Sequence, residues 1–494
     1  MNLASILEDS ARFFPDNVAV IEGENKYTYR EFNSYSDRIA SSLSAYGLKP
    51  GEFVGFCAPN SYDWLAFYFA ALKCGAAAVT FSYLLTRDEF KKILFDSRPR
   101  VLFTSASRLP DLDYTDSDYY PELIITEEGE NCCKGLAEKA NTEFETVDRD
   151  RHDIAAILYT GGTTGIPKGA MLSHQNVLAS IFNVAHYERS SAKDIALCFL
   201  PLNHVFGQMH IVNSTIISSG GLVIQPSFNI DSALEAIERH KVTKFFAVPT
   251  IYIRMLQIPD LKEKLKSVTY CFSAAASMAA EVVKEWKART DVNIHESYGM
   301  TESASIVVFN HYHKHLIGSV GTPANLMEVQ IRDMEGNRLK QGDVGEICIR
   351  GPNIFKGYLN NPAETARAFW GEWFRSGDMG VIDKDGYLFI VDRLKDMVIT
   401  GGENVYPREV EEVLYTCQEV QECAVIGLPD REYGERVTAY IVLREGCCLD
   451  PAAIKQYLKG HLAGYKVPKE YIAVEELPKS AAGKILKREL RRKI

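Results

Sequence analysis

Residues 28–47, TYREFNSYSDRIASSLSAYG, place apolar side chains three and four positions apart and close on Gly47, which predicts a helix that stops after Tyr46. The stretch GEFVGFCAPN at 51–60 reads as a short strand and turn, and YDWLAFYFAALKCGAAAVTF at 62–81 as a buried helix running into a strand. The alternation continues through VLFTS at 101–105 and ELIIT at 122–126 and predicts α/β layers with parallel strands. From 318 to 394 the texture changes: VQIRD, GEICIRG and GYLFIVD are short strand-like runs separated by turns such as Glu335-Gly336-Asn337 and Asp385-Gly386. That pattern predicts a small antiparallel β subdomain. After about 395 it becomes α+β, with PREVEEVLYT and PAAIKQYLKGHLAGY as helices and ECAVIGLPD and VTAYIVL as strands. The last hundred or so residues are enough for a small domain of their own. The boundary is placed at Asp392-Arg393-Leu394-Lys395, dividing the chain into 1–394 and 395–494. No internal repeat and no low-complexity linker interrupts this plan.

Composition narrows the function classes. A chain of 494 residues is too long for one ordinary core, and 46% hydrophobic with 24% charged residues is the profile of a soluble globular protein. A net charge of -10 argues against a nucleic-acid binder, which needs a basic stripe. The N-terminus carries Glu8 and Asp9 and lacks a basic start followed by a long apolar run, so it does not read as a signal peptide. No apolar stretch reaches the ~20 residues needed to cross a bilayer. Eleven Cys are too sparse for a disulfide scaffold, and the adjacent pairs Cys132-Cys133 and Cys447-Cys448 lack metal-ligand spacing. The expectation is a reduced, cytoplasmic protein, monomer or homodimer.

The most informative segment is ILYTGGTTGIPKG at 157–169. An apolar run feeds a loop in which Gly161, Gly162 and Gly165 let backbone N–H groups approach an anion. Thr160, Thr163 and Thr164 add hydroxyls, and Lys168 adds a point charge for a polyphosphate. It is not a Walker loop, since Gly169 rather than Ser or Thr follows the lysine.

This loop resembles the YTSGTTGxPKG signature of the adenylate-forming superfamily of acyl-CoA synthetases, luciferases and peptide-synthetase adenylation domains. It departs from the signature at Gly161, where Ser is common. Four further segments follow in the family's order. Ser297-Tyr298-Gly299-Met300-Thr301-Glu302 is similar to the motif whose aromatic ring lies against adenine, whose Thr contacts phosphate and whose Glu holds Mg²⁺. Ser376-Gly377-Asp378 is similar to the motif whose Asp takes the ribose hydroxyls. Asp392-Arg393-Leu394-Lys395-Asp396 resembles the hinge motif, with Lys395 at the pivot, and 478–484, PKSAAGK, the motif of the catalytic lysine, Lys484. Taken alone, each reads as a turn or a solvated side chain; their order gives them weight.

The resemblance implies a large α/β N-terminal domain, made of two layered subdomains and a small β subdomain, with a small mobile α+β C-terminal domain. It implies ATP, Mg²⁺ and coenzyme A, and an acid–CoA ligase that forms an acyl-adenylate and diphosphate. Adenylation replaces hydroxide, a poor leaving group, by AMP. Both reactants are anions, so Lys484, Lys168, Thr301 and a Mg²⁺ on Glu302 would offset their repulsion. The thiol then needs the place Lys484 occupies, so the C-terminal domain turns about Lys395 and presents Gly401, Gly402 and Glu403 for CoA.

The segment LPLNHVFG at 200–207 resembles the acyl-pocket motif, with His204 near the carboxylate; Phe206, Val248, Ala274 and Ala275 are the other pocket residues expected. Amino-acid-activating relatives place an Asp here to hold the substrate ammonium, and none lies between 200 and 210, so the resemblance implies an acid other than an amino acid. Ala274 and Ala275 stand where long-chain relatives often have Gly, and these methyls favour a compact acid. The chain nevertheless resembles bacterial long-chain fatty acid–CoA ligases most, so a medium- or long-chain fatty acid is expected and an aromatic or compact carboxylate is the alternative. Loading of a carrier protein, luciferase-like oxidation and a catalytically dead binding module are the competing functions. The His-rich NHYHKH at 310–315 reads as a loop with a minor prospect of metal binding.

Overall fold

The computed structural model describes all residues except 114–118, 130, 141–142, 161–166, 277, 481–482 and 492–494. The helix Tyr29–Tyr46 starts on a capping box between Thr28 and Glu31 and ends where the Gly47 N–H bonds to Leu43 and Ser44. The helix Tyr62–Lys73 buries every residue except Asp63, which is why its sequence shows no polar face. Lys73 is itself buried and is held by Asp37 at 2.7 Å, Asn33 at 2.9 Å and Glu8 at 3.1 Å. Such partners make a buried ammonium tolerable.

Two large sheets form the N-terminal portion. One has six strands in the order Leu123–Ile125, Val101–Thr104, Phe53–Cys57, Ala77–Thr80, Ile154–Thr160, Lys168–Ser173. Its pairs are parallel except the last, which is antiparallel. The Gly/Thr-rich loop therefore joins the two strands of a hairpin. The other sheet has nine strands and a parallel centre, Ile195–Cys198, Gly221–Ile224, Lys244–Ala247, Tyr270–Ser273 and Ile294–Met300. One apolar core spans both, and a second cluster that includes Val79, Phe90, Leu94, Leu102 and Ile157 packs on the six-stranded sheet.

The β subdomain is present as expected: Glu328–Arg332, Gly345–Arg350, Trp373–Ile382 and Leu388–Arg393 pair antiparallel. The chain leaves that sheet after Arg393 and enters another at Val398. The second sheet, built on Val420–Asp430 and Gly434–Leu443, has its own apolar core with the helices Pro407–Leu414 and Pro451–Lys459. The helix expected over 451–465 stops at Lys459, before Gly460, and a 3₁₀ turn follows at Gly464–Lys466. Among the described residues no helix is long and apolar enough to cross a membrane. All eleven cysteines are unpaired.

Candidate functional site

Several of the expected site residues sit at a strand end or in a tight turn. Tyr298 and Gly299 lie near the end of the strand Ile294–Met300, which passes directly into a 3₁₀ turn over Thr301–Ser303. The Ser303 hydroxyl closes that turn, accepting from the Met300 N–H at 3.0 Å and donating to carbonyl oxygens of Met300 or Ser305. Ala304 and Ser305 follow with φ of 51° and 115°, so non-glycine residues hold left-handed backbone just after Glu302. Strain of this kind persists only where the surroundings enforce it, and it clusters at functional sites.

Asp378 lies within the strand Trp373–Ile382, opposite Arg393. It accepts a hydrogen bond from the Tyr298 hydroxyl at 2.8 Å and faces the Arg393 guanidinium at 3.6 Å. The structure thus joins the aromatic expected against adenine to the carboxylate expected on the ribose. Burial, and next the Asp378 charge, keep the Tyr298 phenol far above its ordinary range, so it remains a donor.

Lys484 is presented by a turn in which Lys479 bridges Ile485 and the Lys484 N–H reaches the Ser480 hydroxyl at 3.2 Å. The turn docks on the N-terminal portion through Gly483, whose carbonyl accepts from Thr250 Oγ1 at 3.2 Å. Gly483 has φ +77°, and a methyl there would lie 2.7 Å from Val248 Cγ2, so only glycine fits this seat. Lys484 then lies in electrostatic range of Arg393, Asp378, Lys395 and His204. Burial, with Arg393 second, lowers its pKa to about 7. His204 is lowered to about 4 by burial and then by the Lys484 ammonium, so it is neutral at physiological pH. From the last helix, Lys487 pairs with Glu411 at 2.7 Å and Arg491 with Asp396, beside the expected pivot Lys395, at 3.3 Å.

The acyl-pocket motif folds as a turn into an unexpected π-helix, Phe206–Asn213. Asn60 pins the turn by donating to the Leu200 carbonyl and accepting from the Leu202 N–H, both at 2.9 Å. The Phe206 ring packs 5.7 Å from that of Phe272, and Val248 is buried. Ala274 and Ala275 are half-buried, and Ala275 has φ 70°.

At the hairpin, Thr160 Oγ1 lies 3.4 Å from the Lys168 carbonyl. Gly161, Gly162, Thr163, Thr164 and Gly165 lie outside the described residues. The Lys168 ammonium forms an ion pair with Glu364 and sits 5.3 Å over the Tyr358 ring. The Tyr358 hydroxyl donates to Glu302 Oε1 at 2.8 Å, and burial raises the Glu302 pKa. Sequence reasoning missed Tyr358, Glu364 and Thr250. Gly401, Gly402 and Glu403 stand apart from this cluster as exposed residues at a hairpin turn, with the Gly401 N–H bonded to Tyr433. The 310–315 tract makes local bonds, His315 to the Ile294 carbonyl and His311 to Thr322. Among the described residues no group of three or more His, Cys, Asp or Glu could hold a metal.

The chain matches the AMP-binding enzyme family over residues 7–359 and the AMP-binding enzyme C-terminal domain over 409–484. It is 35% identical to a long-chain-fatty-acid–CoA ligase of Bacillus subtilis (strain 168), covering 99% of this chain and 94% of that protein. It is 34% identical to a feruloyl-CoA synthase of an Amycolatopsis species, over 98% and 97% of the two chains. The crystal structure of ATP-bound MatB from Rhodopseudomonas palustris superposes with a TM-score of 0.92 at 33% identity, over 100% and 99% of the chains. The apo form of that protein gives 0.82, so this chain's arrangement is nearer the ATP-bound one. The chain belongs to the AMP-binding enzyme family of the adenylate-forming superfamily, and it is an acid–CoA ligase that takes ATP, a small-molecule carboxylic acid and CoA.

Proposed function

We propose that the chain converts a fatty acid of medium or long chain to its acyl-CoA in two steps, with Lys484 serving only the first. The observation that supports this reading is the seat of the Lys484 turn on Val248 and Thr250, with the Lys484 side chain buried and in electrostatic range of His204, Asp378 and Arg393. There it would offset the charge on carboxylate and α-phosphate as they approach. Neutral His204 would border the carboxylate, and Tyr298 and Asp378 would hold the nucleoside. Mg²⁺ fits Glu302: a buried carboxylate with Oε1 held by Tyr358 is a hard oxygen donor, and Mg²⁺ commonly takes one or two carboxylates plus substrate phosphates. The ion would supply charge neutralisation of the diphosphate leaving group. For the second step the C-terminal domain, residues 395–494, would turn about Lys395 and bring Gly401–Glu403 to the site. Among the described residues its seat includes polar contacts such as Thr250 to Gly483 and the Ala280 N–H to Glu412 at 3.3 Å, of a kind that can part and re-form.

A fatty acid suits walls formed by Phe206, Val248, Ala274 and Ala275. Compact aromatic acids are the second reading, favoured by the two alanine methyls. Diphosphate release with decanoate, palmitate and benzoate decides between them, and a clear preference for benzoate would overturn the fatty-acid reading. Ala275→Gly relieves left-handed strain and removes a methyl. It should raise kcat/KM for the longer of two fatty acids by roughly 5- to 50-fold relative to the shorter, and an unchanged ratio would exclude Ala275 from the pocket.

The lowered Lys484 pKa gives a second expectation. In the docked, ligand-free state the amine is mostly neutral at about pH 8, above its pKa of about 7. Two substrate anions favour the ammonium, so the bound state holds more protons and binding strengthens as pH falls toward 7. Calorimetry of ATP and acid binding at about pH 8, in buffers of different ionisation enthalpy, should show uptake of about one proton. Lys484→Met should abolish it.

A further inference from the structure

The segment Asn353–Leu359 runs across the site as a strap and fixes the phosphate hairpin to the Glu302 turn by main-chain bonds. The Phe355 N–H donates to the Glu302 carbonyl at 2.8 Å, Lys356 to Met171 at 2.9 Å and Leu359 to Gly169 at 2.8 Å, while Met171 donates back to Gly357 at 3.0 Å. The chain then enters a short helix, Pro362–Arg367, capped by the Asn361 side chain on the Glu364 N–H at 3.1 Å. That cap fixes where the Glu364 carboxylate stands. One of its oxygens pairs with Lys168 and the other with Arg367 at 2.7 Å. Lys168 and Glu364 are both half-buried, with side-chain exposures of 18% and 29%, whereas Arg367 is 76% exposed. Of these groups, Lys168 is the one assigned to the polyphosphate.

We propose that Glu364 is an internal counter-anion that holds the Lys168 ammonium until the β- and γ-phosphates of ATP replace it, and that this exchange sets the affinity of the site for ATP and diphosphate. The proposal rests on the reading of Lys168 as the polyphosphate cation. Its physical content is competition. A carboxylate close to the incoming phosphates repels them, and its pair with Lys168 must break or be shared before the ammonium can serve a new anion. The exchange lowers ATP affinity, and it lowers diphosphate affinity by the same means, which favours product release. AMP has no β- or γ-phosphate, so Glu364 leaves its affinity unaltered. Tyr358 keeps the exchange local: its ring lies under the ammonium and its hydroxyl stays on Glu302, so Lys168 changes partners without leaving the site.

The test is direct binding to the full chain, by calorimetry without acid, of ATP, inorganic diphosphate and AMP. Glu364→Gln keeps the side chain's size and removes its charge. It should tighten ATP and diphosphate binding by roughly 5- to 30-fold, the range of one released ion pair with relief of repulsion, and leave AMP binding within about twofold. Lys168→Ala should weaken ATP, and in the double variant the gain from Glu364→Gln should shrink to the part that relief of repulsion alone supplies. If Lys168→Ala weakens ATP but Glu364→Gln leaves it unchanged or weaker, Glu364 is a support for Lys168 and the counter-anion proposal is wrong. If Lys168→Ala leaves ATP binding intact, the polyphosphate reading of Lys168 fails first. Thermal melts of the ligand-free variants check folding, and equal changes for AMP and ATP would also overturn the proposal.

Discussion

Lys484→Ala should lower acid-dependent diphosphate release by about 10²–10³-fold, the effect of removing one preorganised charge at a developing anion. The same variant should convert supplied acyl-adenylate and CoA to acyl-CoA at close to the parent rate. The asymmetry follows from the seat of the lysine. In the docked arrangement, with Gly483 on Val248 and Thr250, its side chain lies in electrostatic range of Asp378, Arg393 and His204, and undocking would take it away. Adenylation brings two anions together and needs that charge. Thioester formation starts from a mixed anhydride that no longer needs it, and the docked side chain would fill the path of the thiol. Lys484→Arg is an informative companion, since it keeps the charge but adds bulk in a buried setting. Measuring the half-reactions separately, by diphosphate release and by thioester formation from synthetic adenylate, gives the split. Equal losses in both would remove the one-step role of Lys484.

Lys395→Pro should do the opposite, sparing diphosphate release and lowering thioester formation by about 10²-fold, the loss that follows when a reacting group cannot reach its place. Residue 395 lies in a turn closed by the Asp396 and Met397 N–H groups on the Arg393 carbonyl, at 3.0 and 3.2 Å. The Leu394 N–H bonds instead to the Gly377 carbonyl at 3.0 Å, and among the described hydrogen bonds none uses the Lys395 N–H. Proline there forfeits no such bond but fixes φ, the rotation that a pivot at this position would use. Burial and the Arg393 charge lower the Lys395 pKa, so its ammonium is not at ease in this arrangement. Retained adenylation with lost thioesterification places the pivot at 395. Retention of both would place the pivot elsewhere in the stretch between Arg393 and Val398, and equal loss of both would count against a hinge here.

Much of the frame could be read from local pattern. The capping box at Thr28 and the stop at Gly47 bound a helix by residues a few positions apart, and the change from helix-and-strand alternation to short turns marks the β subdomain. The motifs around Tyr298, Asp378, Arg393 and Lys484 were legible too, because each is a short contiguous run. What the sequence hid is non-local. Tyr358 meets Glu302 across 56 positions, and Glu364 meets Lys168 across 196, with no spacing rule to connect them. The π-helix at Phe206–Asn213 was equally hidden, since all its residues, polar and apolar alike, are buried and leave no helical face to read. The reach of the Gly/Thr-rich loop toward a ligand lies outside the described residues.

Backbone hydrogen exchange on two ligand complexes tests the two-orientation account most directly. With a non-hydrolysable ATP analogue and the acid, the amides of Gly483, Lys484 and Ile485 should be protected and those of Gly401–Val405 should exchange freely. With an acyl-sulfamoyl adenosine and CoA the pattern should reverse. The same protection in both complexes would mean that the C-terminal domain serves both steps from one position, and the account would be wrong.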